Sequence, residues 1–193
     1  IARRQRQMCI RDRIKSSKIL QNLKLKKDEY FLISCHREEN IDANVNFNKL
    51  IDSLNKISEV FKIPVIFPIH PRTKKIFKKN KPNLNKMIRL VDPLGFVDYN
   101  QLQMNSFVVL SDSGTISEES SILKFRALNI RETHERHEAM EESAVIMTGL
   151  DVDRILQGIQ CLTDLVNDNE IGLAQVADYK IPNISIKIER IIL

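Results

Sequence analysis

The sequence has 193 residues, 42% of them hydrophobic and 28% charged, a composition that suits one globular domain and excludes a disordered chain. No apolar run approaches the roughly 20 residues that span a bilayer, and no apolar segment of a secretory signal stands near the start. Three cysteines, Cys9, Cys35 and Cys161, lie far apart, which gives neither a disulfide framework nor paired metal ligands and fits a reducing cytoplasm.

The net charge is +5, from 30 basic and 25 acidic residues. Five arginines and Asp12 fall within residues 1–13, leaving 25 basic against 24 acidic residues, a net of +1, over 14–193. The basicity therefore belongs to a short tail. That tail has no helical or strand periodicity, and its QMCIRDR string resembles translated sequencing-adapter sequence. We expect residues 1–13 to be a non-native tail and leave them out of fold reasoning. The alternative is a real basic arm, even one that binds RNA with salt-sensitive affinity; with 6% aromatic residues the chain offers little stacking platform for that role.

From Ile14 onward, short apolar runs alternate with amphipathic ones. Residues 30–34 (YFLIS) read as a buried strand. Asn46 to Phe61 carries Phe47, Leu50, Ile51, Leu54, Ile57 and Phe61 at helical spacing. A strand follows over 64–69, a short basic helix over 73–79, and a third strand over 87–91. A short helix over 99–105 and a strand over 107–110 come next, then a helix through 118–123 and a strand over 127–130. A helix near Glu135, a strand near 144–147 and a long helix from Asp151 follow, and Ile181 to Leu193 is apolar at helical spacing and stops abruptly. Such alternation predicts an α/β fold: a doubly wound, Rossmann-like parallel sheet covered on both faces.

In such a sheet, ligands bind at the carboxyl ends of the strands, where strand order reverses. Four stretches place polar residues there. In Cys35-His36-Arg37-Glu38-Glu39-Asn40, an imidazole and a guanidinium can face a phosphate or a sugar hydroxyl; the alternative is a solvated loop with an internal Arg–Glu pair. In His70-Pro71-Arg72-Thr73, proline opens a helical turn whose amides can receive an anion, or His70 is a structural hydrogen bonder. In Ser111-Asp112-Ser113-Gly114-Thr115, a strand runs through a Ser-Gly turn into a helix, so amides and helix dipole converge above the turn, and a diphosphate is the natural occupant. Gly114 permits close approach and Glu119 can reach ribose hydroxyls, whereas the plainer alternative makes Asp112 or Ser113 a helix cap. Residues 131–138 (RETHERHE) form either a salt-bridged lid or a carrier of a cation for a nucleotide phosphate. No metal-ligand spacing or dinucleotide fingerprint appears, so no metal and no cofactor are expected.

Taken jointly and in order, CHREEN at 35–40, HPRT at 70–73, SDSGTISEESSIL at 111–123 and NIRETHER at 129–136 resemble the non-hydrolysing UDP-N-acetylglucosamine 2-epimerase family, from about Ser16 to the end. The wording of SGTISEESSIL and LNIRETHER resembles in particular a bacterial capsule and O-antigen subgroup that acts on UDP-2-acetamido-2,6-dideoxy-L-talose to form UDP-N-acetyl-L-fucosamine. The resemblance implies the C-terminal half of a GT-B-like two-domain fold, with residues 14–193 as the UDP-binding domain, cut short at its end and lacking an N-terminal partner domain. It implies that His36 is an active-site histidine, that Ser113 and Gly114 hold the diphosphate with Thr115 where many members have a second glycine, and that Glu119 binds ribose. It also implies Arg136 on the nucleotide side, Tyr99 near the uracil, and Arg37 and His70 as further site residues.

The implied reaction eliminates UDP across C1 and C2 to a 2-acetamidoglycal, then adds it back after a proton returns to the other face of C2. It needs acid–base carboxylates that the family carries in the N-terminal half, so the chain alone is expected to be inactive, and the full-length protein a homodimer without nucleic-acid or membrane partners. Three residues depart from the family pattern: Arg126 and His137 stand where proline is usual, and Leu94 where a polar residue is. The rival is the nucleotide-binding half of a GT-B glycosyltransferase.

Overall fold

The computed structural model describes residues 10, 12–41, 44–132, 145–167 and 189. The remainder of the 1–13 tail, the helix expected near Glu135 and the apolar segment from Ile181, Glu189 apart, lie outside the described residues, as does Arg136.

Among the described residues, six strands pair in parallel in the order β3-β2-β1-β4-β5-β6. They are β1 (Phe31–Ser34), β2 (Val65–Pro68), β3 (Ile88–Val91), β4 (Val108–Ser111), β5 (Ala127–Asn129) and β6 (Ile146–Met147). The helices are α1 (Ile19–Asn22), α2 (Glu38–Ile41), α3 (Asn44–Phe61), α4 (Pro71–Asn80), α5 (Phe96–Asn105), α6 (Ile116–Leu123) and α7 (Val152–Asn167). The expected α/β, doubly wound, Rossmann-like fold is therefore present.

The strands are apolar almost throughout because both sheet faces are covered. Side chains alternate between faces: Phe31, Ile33, Val65, Phe67, Val108 and Leu110 join one buried cluster with Phe47, Leu50, Leu54 and Ile57 of α3, Phe77 of α4, and Ile155 and Ile159 of α7. Leu32, Ile66 and Val109 join the opposite cluster with Ile19 of α1, Leu102 of α5 and Ile116 of α6. Phe31 packs edge-on against Phe61 and Phe107 at centroid distances of 5.2 and 5.4 Å, a favoured aromatic geometry.

From β1 the chain moves outward through β2 to β3, then returns through α5 to lay β4 against the other side of β1. Strand order thus reverses between β1 and β4, and the crevice of such a sheet opens between the loops that leave these two strands. Those loops are residues 35–37 and 112–115.

Two departures from the expected elements matter. The CHREEN stretch is not wholly a loop, because α2 begins at Glu38. Arg126, where proline was expected, lies just before β5; its Nη2 donates to Asp28 Oδ1 at 2.9 Å and its guanidinium sits 5.1 Å from the Phe107 ring centroid. The arginine thus contributes a partly buried ion pair and a cation–π contact at that position.

Candidate functional site at the sheet switch point

The turn that leaves β4 is built by short local bonds. Ser113 N–H donates to Ser111 Oγ at 3.0 Å, Thr115 N–H to Ser113 Oγ at 3.3 Å, and Ile116 N–H to the Ser113 carbonyl at 3.4 Å. The Ser113 and Thr115 hydroxyls stand 3.0 Å apart. Thr115 occupies the N-cap position of α6 without a side-chain cap bond, and Asp112 turns away from the helix, so the helix-cap reading of Asp112 does not hold. A Cβ built on Gly114 would meet only Arg37 Nη2, at 3.8 Å. Nothing within the described chain therefore demands glycine at this position.

Asp112 is fully buried. Its Oδ2 accepts from Cys35 Sγ at 3.2 Å, His36 N at 3.1 Å, Arg37 N at 3.0 Å and Asn40 Nδ2 at 3.1 Å. Its Oδ1 lies 3.2 Å from both His36 N and His36 Nδ1. These donors hold its carboxyl below the usual carboxylate range, the His36 bond contributing most, against a burial that works the other way. Burial and the neighbouring carboxylate push the Cys35 thiol well up, so Cys35 is a neutral donor rather than a nucleophile.

His36 is the exposed member of this cluster, its side chain 59% accessible. The bond to Asp112 raises its pKa, with partial burial and the Arg37 charge opposing. Arg37 does not form the internal Arg–Glu pair of the loop reading. Its Nε donates to the Asp112 carbonyl at 2.9 Å, which lays the guanidinium beside Gly114. Glu38 pairs instead with Arg72, and Glu39 lies 3.9 Å from the buried Arg131 Nε.

A second polar group adjoins the turn. Glu119 accepts from Thr115 Oγ1 and from Gln103 Nε2, each at 2.6 Å. Tyr99, on α5, packs partly buried against the second core cluster, and burial pushes its pKa up to about 12. Leu94 packs against the same cluster.

His70 caps α4, its Nδ1 accepting from Arg72 N at 3.4 Å, the bond of the structural alternative. The switch point thus gathers His36, Arg37, Ser113, Gly114, Thr115, Glu119 and Tyr99, while Arg136 lies outside the described residues. Sequence reasoning gave no site role to Asp112, Asn40 or Gln103. A buried carboxylate directly after an apolar strand is the signal that would have marked Asp112, since such a group must find donors.

A family model described as UDP-N-acetylglucosamine 2-epimerase matches residues 3–193. A UDP-N-acetylglucosamine 2-epimerase of Methanococcus maripaludis is 34% identical over 148 residues, covering 75% of this chain and 40% of that protein. The structure of UDP-N-acetylglucosamine 2-epimerase from Rickettsia bellii is 40% identical with a TM-score of 0.80, covering 94% of this chain and 48% of its own. The Methanocaldococcus jannaschii UDP-GlcNAc 2-epimerase, solved in complex with UDP-GlcNAc and UDP, is 27% identical with a TM-score of 0.79, covering 95% of this chain and 50% of its own. The chain thus spans 40–50% of the length of these relatives.

Proposed function

Because the chain belongs to the UDP-N-acetylglucosamine 2-epimerase family, we propose that it is the nucleotide-binding half of a UDP-sugar 2-epimerase with a GT-B-like fold. The observation that carries this reading is the convergence, where strand order reverses, of the Arg37 guanidinium and the Ser113–Gly114 turn beside His36 and Glu119. Amides and a guanidinium suit a diphosphate, and a carboxylate one helical turn further suits a ribose diol. Tyr99 borders the base side and Arg136 adds a cation on the nucleotide side.

In the reaction we propose, the proton at C2 is removed while the C1–O bond to UDP breaks, giving a 2-acetamidoglycal. UDP then re-adds at C1 after a proton arrives on the other face of C2. This half binds the departing diphosphate and stabilises its developing charge, with His36 as its catalytic member. The acid–base carboxylates belong to a partner domain that precedes this one, so the chain alone does not turn over. The whole protein is a cytoplasmic homodimer, and the substrate is a UDP-N-acetylhexosamine; the subgroup wording favours UDP-N-acetyl-L-fucosamine formation for capsule or O-antigen.

The test is proton exchange. The protein extended to the length of its relatives is incubated in D2O with UDP-N-acetylglucosamine and, separately, with the 2,6-dideoxy-L-talose analogue. Deuterium at C2 together with the C2 epimer supports the reading, and the sugar that exchanges identifies the substrate. Sugar transfer to an acceptor without exchange at C2 would establish the glycosyltransferase alternative.

A further inference from the structure

Asp112 has no part in the binding roles above, yet it joins the two loops of the crevice. A purely structural carboxylate would need only the backbone amides of His36 and Arg37 and the side chain of Asn40. The contacts to His36 Nδ1 and, through the Asp112 carbonyl, to Arg37 Nε go further, because they fix the direction of the two charged side chains. An imidazole with its Nδ1–H held by a carboxylate has one nitrogen left for a ligand, Nε2, and a settled tautomer.

We propose that Asp112 is a positioning residue: it presents His36 Nε2 to the diphosphate and holds the Arg37 guanidinium over Gly114. This deepens the UDP-binding reading and rests on it. The groups that face the imidazole are consistent with the role. Asp112 approaches from the end of β4 and raises the pKa of His36, while Arg37, from the same loop, opposes it. Glu39 and Glu119 act on the neighbouring Cys35 and Tyr99. The imidazolium is thus favoured, with Nε2–H as a donor to the diphosphate. UDP affinity is then greatest while His36 is protonated and falls as pH rises through its raised pKa.

The experiment measures the UDP dissociation constant against pH for the full chain and for Asp112→Asn, with NMR of the imidazole in the ligand-free protein. The wild type is expected to show the Nδ1–H tautomer and a pKa above the ordinary histidine value. Asp112→Asn is expected to weaken UDP binding by about 10- to 100-fold, the worth of one charge-assisted hydrogen bond, and to move the pH midpoint of binding downward. UDP's own titration is common to both proteins and cancels in that difference.

Should Asp112→Asn fail to fold, His36→Gln serves in its place. It leaves the other Asp112 contacts intact and is expected to remove the histidine-dependent part of the pH profile. A weakened affinity with an unmoved midpoint, an Nε2–H tautomer, or an unchanged profile in His36→Gln would overturn the inference and leave the UDP-binding reading intact. A wild-type chain that binds no UDP at any pH would overturn that reading and this inference with it.

Discussion

Gly114→Ala separates a residue kept for folding from one kept for a ligand. Among the described residues the one glycine with positive φ is Gly149, so Gly114 occupies backbone space open to alanine. The added methyl would meet only Arg37 Nη2, at an ordinary contact distance of 3.8 Å. Folding should therefore be unharmed, and alanine should stabilise by about 0.4–1 kcal/mol by restricting the unfolded chain. A diphosphate seated on the turn must instead yield to the methyl and lose at least one amide bond. Removing a hydrogen bond to a charged group costs about 1.5–3 kcal/mol, or roughly 10- to 100-fold in affinity. Calorimetric titration with UDP, beside thermal unfolding of the ligand-free protein, reads both quantities. Wild-type affinity in the variant would refute the cradle, and a lower midpoint without ligand would show that Gly114 serves the fold.

The contrasting variant is Gly149→Ala. There φ is +62° and the new methyl would lie 2.7 Å from Glu132 Oε1, so about 1–2 kcal/mol of stability should be lost, seen as a reduced unfolding midpoint. Arg126→Ala removes the Asp28 ion pair and the contact with Phe107; chemical denaturation should report a loss of about 1 kcal/mol, while UDP affinity stays within twofold of wild type by the ordinary scatter of distant sites. Glu119→Ala should abolish discrimination between UDP and 2′-deoxy-UDP, which competition titration measures directly; preserved discrimination would remove Glu119 from the ribose.

The strands β1, β2, β4 and β5 were legible because each is a short apolar run, buried on both sheet faces, between polar stretches. The strand expected over residues 107–110 and the observed Val108–Ser111 differ by one residue at each end. The long helix α3 announced itself through the spacing of Phe47, Leu50, Leu54 and Ile57. The four-residue helices α1 and α2 did not, since one turn is too short to display a period. At the site, the Ser113–Gly114 turn was readable locally because its bonds span two or three residues. The role of Asp112 was not. Its partners Cys35 and Asn40 lie 77 and 72 positions away, and only the β1–β4 pairing brings them together. For the same reason the local sequence leaves Arg37 between a ligand-facing role and a pair with a neighbouring glutamate, while the Asp112 carbonyl on the adjacent strand end is the acceptor its Nε reaches.

The central claim is that the crevice between β1 and β4 holds the diphosphate of a uridine nucleotide. Thermal unfolding of the chain with and without millimolar UDP, against AMP at the same concentration, tests it most directly. At about 100 times its dissociation constant a ligand stabilises by about 2.7 kcal/mol, which for a chain of this size raises the midpoint by roughly 5–10 °C. A rise of that order with UDP and none with AMP is the predicted result. Equal midpoints with UDP, with AMP and without nucleotide, in a sample that unfolds cooperatively, would contradict it.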